Sequence, residues 1–217
     1  LTFTSRNLPA IRQDESFCWC PEDYKIQVSF DLQGTNYPGE DYKPYSQNWE
    51  DVDKQLTREE SKSFGANLLW RNPYIEEIRE LSRSGNLDFN KKVIGTFQLL
   101  KQKFSWNGEY KLYSENLDKV LKTGTGSNAD LNFIFIGMLK SFGIKAYPVV
   151  MSRRSVGMLP VSFPSLQKLN TFVVAIYDEV RGKYVYLDGS MDVPALNVLP
   201  VELSVTKARI LLSLIHI

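Results

Sequence analysis

Between Asn128 and Phe142 the chain carries apolar side chains on nearly every side of a helix: Leu131, Phe133, Ile134, Phe135, Ile136, Met138, Leu139 and Phe142. A helix that is apolar all round has no face to offer to water, so other elements must enclose it. Ser127 and Asn128 are residues that cap a helix start, and Asp130 in the first turn suits the positive end of the helix dipole. Gly143 can adopt the left-handed conformation that closes the other end. Any fold for this chain must place this segment at its centre.

The remaining periods supply the enclosing elements. Trp49, Val52 and Leu56 share one helical face. Asn72-Pro73 reads as an N-cap with proline at the first helical position, followed at helical spacing by Ile75, Ile78 and Leu81 and ended by Gly85. A further helix from about Asp88 to Phe104 turns Phe89, Val93, Phe97, Leu100 and Phe104 inward, and a short one covers Asn116 to Lys122. After the central segment, β-type runs occupy 146–152, 172–177 and 183–188, the last two joined by the charged hairpin loop 178–182. Together these predict an α+β fold in which a buried helix packs on an antiparallel sheet.

Upstream, Tyr24, Ile26, Val28, Phe30 and Leu32 alternate at period two, the mark of a half-buried strand. Residues 1–36 are read as β and 37–47 as a linker, within a loop-like stretch from 33 that is rich in Gly, Pro, Asn and Asp. The main domain is expected over 48–200, and 201–217 as a truncated tail. The chain opens without methionine on strand-like residues, as an excised fragment would. Ser213 to Ile217 reads as a cloning scar or a cut strand. Strand edges left by such truncation would invite self-association.

At 217 residues with 43% hydrophobic and 24% charged side chains, the chain can bury a substantial core. Its 26 basic and 25 acidic residues leave a net charge of +1, which gives no footprint for nucleic acid or an anionic membrane. The longest mainly apolar stretch, Leu131 to Leu139, falls far short of the roughly 20 residues of a membrane span. Cys18 and Cys20 are read as free or strained thiols. No Cys or His stands near them to complete a metal site, so neither a metal nor a cofactor is implied.

The order helix, Gly-x-Gly turn, buried helix, antiparallel strands resembles the transglutaminase-like branch of the papain-type cysteine fold. The likeness is carried by Gly126-Ser127-Asn128-Ala129-Asp130 and by the run FIGMLKSFGIKAYPVVMSRR from Phe135 to Arg154. It continues through Leu169-Asn170-Thr171-Phe172-Val173 and Leu187-Asp188-Gly189-Ser190. It is similar in particular to the Bacteroidetes proteins in which such a core follows an N-terminal β-sandwich domain of unknown function, and this resemblance implies that residues 1–36 are a partial β-sandwich segment. That family works with a cysteine, a histidine and an acid. The resemblance puts Asn128 at the cysteine, Thr171 at the histidine and Asp188 at the acid. A slip of one residue would put Ser127 and Asn170 in the first two places.

Either alignment removes the chemistry. The chain's single histidine is His216, and no cysteine lies beyond Cys20. An amide is no nucleophile, and neither Thr nor Asn titrates where a base must. The resemblance therefore implies a non-catalytic module, a pseudoenzyme serving as a binding or structural part of a larger exported bacterial protein in the periplasm or at the cell surface. The alternative is a hydrolase or transferase that uses non-standard groups or a missing domain. Asp188 and Asp130 are expected to be structural.

The loop 153–169 is long enough to shape a site. Arg153 and Arg154 at its start offer positive charge, while Tyr147 and Phe163 offer stacking surface, so a peptide or glycan ligand would be expected to contact this rim. Tyr37, Tyr42, Tyr45, Trp106 and Tyr110 are further stacking candidates, expected mostly to pack.

Overall fold

The computed structural model describes residues 2, 4–26, 28, 32, 34–44, 48–58, 63–83, 85, 87–114, 116–160, 164 and 166–212. A short antiparallel pair, β1 (Gly34–Thr35) and β2 (Lys43–Pro44), precedes the helices α1 (Trp49–Thr57), α2 (Phe64–Leu68), α3 (Ile75–Arg83) and α4 (Phe89–Lys103). Then come β3 (Ser105–Trp106), α5 (Leu117–Thr123), β4 (Thr125–Gly126) and α6 (Asn128–Ser141). The strands β5 (Ala146–Met151), β6 (Thr171–Asp178), β7 (Lys183–Leu187) and β8 (Ala208–Ile210) form an antiparallel sheet of order β7-β6-β5-β8. The fold is α+β.

α6 is the centre. It packs on β5 and β6 on one side and on α2, α3 and α4 on the other. Every residue from Asn128 to Leu139 is buried, as its all-round apolar pattern requires. Its start is held by a reciprocal capping box: the Asp130 backbone N–H donates to Ser127, and the Ser127 N–H donates to the Asp130 carboxylate at 2.8 Å. Gly143, at φ +79°, takes the left-handed turn just past its end.

The sheet is covered on both faces. Val150, Phe172, Val174 and Ile176 join the core around α6, while Val149, Met151, Val173 and Ala175 pack with Leu203 on the reverse. This double burial explains why 172–177 reads as a continuous apolar run and not as an alternation. Register sets the site's geometry. Leu187, the last residue of β7, lies opposite Val174, so the chain leaving β7 runs on toward the start of β6.

Expectation and structure agree for the helices α1, α4 and α5, whose caps are Asn48, Asp88 and Asn116. Val93, Phe97, Leu100 and Phe104 are buried as expected. α3 begins two residues later than Pro73 would set it, because Asn72 turns its side chain to the Tyr74 N–H and to Ser141 on α6. Residues 34–44, expected as linker, form the β1–β2 pair around a turn at Pro38-Gly39.

The strand expected over 24–32 is not formed by its described residues. Tyr24 closes a 3-10 turn from Pro21, and Ile26, Val28 and Leu32 are exposed, while Phe30 lies outside the described residues. The alternation there marks an apolar face, and a face becomes a strand only when a sheet receives it. Beyond residue 200, where the domain was expected to close, β8 pairs with β5 along the edge of the sheet. It is tied back to α1 by a two-pronged Arg209–Asp53 ion pair at 2.6 Å. The tail segment from Ser213, with His216, lies outside the described residues.

Two helical glycines separate close packing from propensity. A Cβ on Gly137 of α6 would stand 2.8 Å from the Trp70 ring, whereas one on Gly95 of α4 would meet only Leu81 at 3.6 Å. Gly95→Ala is expected to stabilise the protein by up to about 1 kcal/mol through helix propensity. Gly137→Ala is expected to destabilise it by about 1–3 kcal/mol through overpacking. Urea unfolding of the two variants checks this, and equal gains would refute the close packing of α6.

Candidate functional site

Two amides on α6, those of Asn128 and Asn132, are fully buried and find their partners inside. Asn128 turns to the sheet: its amide donates to Thr171 Oγ1 at 2.6 Å and to the Phe172 carbonyl at 3.3 Å. Its oxygen accepts the Lys111 backbone N–H at 2.8 Å. One turn along the same face, Asn132 donates to the Phe172 carbonyl at 2.7 Å and to Asp188 Oδ1 at 2.8 Å. Its oxygen accepts the Gly189 N–H at 2.6 Å. The other Asp188 oxygen accepts the Ser190 hydroxyl. All five residues, Asn128, Asn132, Thr171, Asp188 and Ser190, are buried.

The structure therefore brings Asn128 and Thr171 into direct contact, as expected. Asp188 joins through Asn132: the two amides of α6 form a ladder from the start of β6 to the end of β7. Asn132 and Ser190 were not among the expected site residues. The signal that could have found Asn132 is its spacing, four residues after Asn128 in an otherwise apolar run. The shifted pair, Ser127 and Asn170, is not brought together. Ser127 closes the capping box, while Asn170 accepts the Arg153 backbone N–H at 3.1 Å.

Burial raises the Asp188 carboxyl above its ordinary value of 3.8, while the hydrogen bonds from Ser190 and Asn132 and the charge of Lys101 pull the other way. Lys101, on α4, is itself lowered by burial and raised by the charges of Asp192 and Asp188. The ladder holds donors and acceptors in place. It contains no thiol, imidazole or free amine to form a bond to a substrate or carry a proton at neutral pH.

The expected rim residues separate. The Arg153 guanidinium lies 3.8 Å from Glu202 and over the Tyr110 ring at 5.4 Å. Arg154 lies over Trp19 at 4.7 Å, so the two arginines form no joint clamp. Tyr147 sits near the opposite end of β5, edge-on to Tyr184. Phe163 lies outside the described residues. The loop itself carries two 3-10 turns, Arg154–Val156 and Leu166–Lys168. Cys18 and Cys20 are free, half-buried thiols. Among the described residues no cluster of three or more His, Cys, Asp or Glu could hold a metal ion, and no helix is long and apolar enough to cross a membrane.

No protein-family model matches the chain, and no curated protein matches it. A solved structure from Parabacteroides distasonis, described as a "putative protease", resembles it with a TM-score of 0.40 at 15% identity, over 67% of this chain and 29% of the other. The chain spans under a third of that protein. A likeness this weak carries no argument about activity.

The buried carboxyl makes a pH-dependent prediction. A carboxyl whose folded pKa lies above its unfolded value keeps its proton longer in the folded state. Stability then falls as pH rises from the unfolded value to the folded one. Asp188→Asn preserves an acceptor for Asn132 and offers a donor to Ser190 but does not titrate. Its stability relative to the parent is expected to improve as pH rises above 3.8 and to level off past the raised folded value. Urea unfolding of both proteins from acid to neutral pH measures this. A stability of the variant relative to the parent that stays constant or falls with rising pH would show that Asp188 is not held toward its neutral form.

Proposed function

We propose that this chain is a transglutaminase-like module that has given up catalysis and serves a binding or structural role within a larger exported bacterial protein. One observation carries the reading. The two positions that the resemblance assigns to nucleophile and base, Asn128 and Thr171, lie 43 residues apart in sequence and 2.6 Å apart in space. In a thiol enzyme that contact would be a thiolate held against an imidazole. Here an amide donates to a hydroxyl, and neither partner exchanges a proton near neutral pH. The acid position, Asp188, is occupied and now anchors Asn132 and Ser190. Losing nucleophile and base together abolishes the unit that would have acted as one.

The purified chain is expected neither to hydrolyse nor to transfer acyl groups from p-nitrophenyl esters or glutamine peptides. Mass spectrometry should find no acyl adduct between residues 124 and 192, and an adduct there would overturn the proposal. A second arm tests the resemblance itself. In an Asn128→Cys, Thr171→His variant with Cys18 and Cys20 changed to Ser, the new thiol should titrate below the ordinary value of about 8.5. An ordinary or raised thiol pKa in the folded variant would count against the transglutaminase-like assignment.

A further inference from the structure

A cleft of about 210 Å³ opens where the Phe17–Tyr24 segment lies against the turn after β5 and residues 204–207 before β8. Two cations line it. Arg154 stacks on Trp19, and neither Arg154 nor Lys207 has an ion-pair partner among the described residues. The one carboxylate in the lining, Asp23, is already committed: it accepts the Met158 N–H at 2.8 Å and lies against Gly157. Gly157, at φ +109°, has room for no Cβ, which would stand 2.6 Å from that carboxylate. Asp23 thus fastens the N-terminal segment to the turn and forms no ion pair with either cation, which leaves the lining one positive charge in excess.

Two further features point to a ligand. Ser152, 1% exposed, also lines this cleft, and its hydroxyl has no hydrogen-bond partner. A buried hydroxyl without a partner costs about 1–3 kcal/mol unless something supplies one. Around the rim, Phe17, Trp19 and Tyr24 stand exposed, an aromatic edge of which only Trp19 carries a cation, Arg154, over its ring.

We propose that this cleft binds an oxyanion, carboxylate or phosphate, carried on an aromatic body. Arg154 and Lys207 receive the charge, the Ser152 hydroxyl gains a partner, and Trp19 and Tyr24 stack on the ring. The site shares no residue with the Asn128–Thr171–Asp188 ladder, so it stands independently of the transglutaminase-like reading.

Cys20 lines the same cleft and Cys18 does not, which gives an internal reporter and its control. N-acetylphenylalanine, phenyl phosphate and the neutral N-acetylphenylalaninamide would each be titrated into the full chain. Readouts are Trp fluorescence and the rate of iodoacetamide modification of Cys20 relative to Cys18. Either anion, or both, is expected to slow Cys20 labelling selectively, and the amide is not. Protection by only one anion identifies the headgroup. Arg154→Gln and Lys207→Gln, checked for folding by circular dichroism, should each weaken binding about tenfold, the scale of one charge-assisted hydrogen bond. Protection by none of the probes, equal protection by the amide, or unchanged affinity in a folded Gln variant would overturn the proposal.

Discussion

Everything in this structure answers to the enclosure of α6. Walled by a sheet and three other helices, the helix is buried from Asn128 to Leu139, so the amides of Asn128 and Asn132 must be matched inside the protein. Leaving one amide group unmatched costs about 1–3 kcal/mol, a large share of a domain's net stability. Asn128 and Asn132 meet that demand by reaching across to β6 and to the turn after β7. The bonds they make therefore specify which strand ends lie over the helix. The close approach is possible because residue 189 is glycine: a Cβ there would stand 3.0 Å from the Asn132 oxygen and 3.2 Å from the Leu131 carbonyl.

The same ladder determines what chemistry this place can support. Its groups are positioned as rigidly as those of a catalytic centre, with short bonds and near-complete burial. Its composition, though, is amide, hydroxyl and a carboxyl that burial holds toward its neutral form. Rigid positioning accelerates a reaction only when a positioned group can form a bond or move a proton. What these bonds do in the structure is connect the helix to the sheet.

The periphery follows a different logic. β8 is held by its pairing with β5, by the burial of Leu211 and by the Arg209–Asp53 ion pair, while the Pro21–Tyr24 turn is fastened by Asp23, which accepts the Met158 N–H. These attachments fasten both segments to the domain. They also leave aromatic side chains and unpaired cations at the surface, where a ligand can reach them. In this protein the reactive-looking geometry is sealed inside, and the accessible polar cleft lies some distance along the chain from it.

The central helix, its caps, the inward faces of α1 and α4, and the antiparallel β5–β6–β7 run were legible in the sequence. In each, one local period or one capping side chain matches what the core demands. Asn128 and Thr171 could also be named in advance, because the motifs around them place them whatever the intervening loop does. The spacing of Asn132 from Asn128 marks it as a second polar group on the same helical face, but carries no sign of which distant groups it will meet. The sequence could not show that Asp188 would be reached through that Asn. Nor could it tell that Arg153 and Arg154, adjacent in the chain, would turn to Glu202 and Trp19 in separate surroundings. The alternation at 24–32 and the tail at 208–210 mark the same limit from two sides: an apolar face with no sheet to receive it stays exposed, and an unremarkable tail becomes a strand where the β5 edge needs a partner. Local periods determine which elements can form. Pairing, long-range hydrogen bonds and the company a buried polar group keeps are decided only when the chain has closed on itself, because their partners come from elsewhere in the sequence.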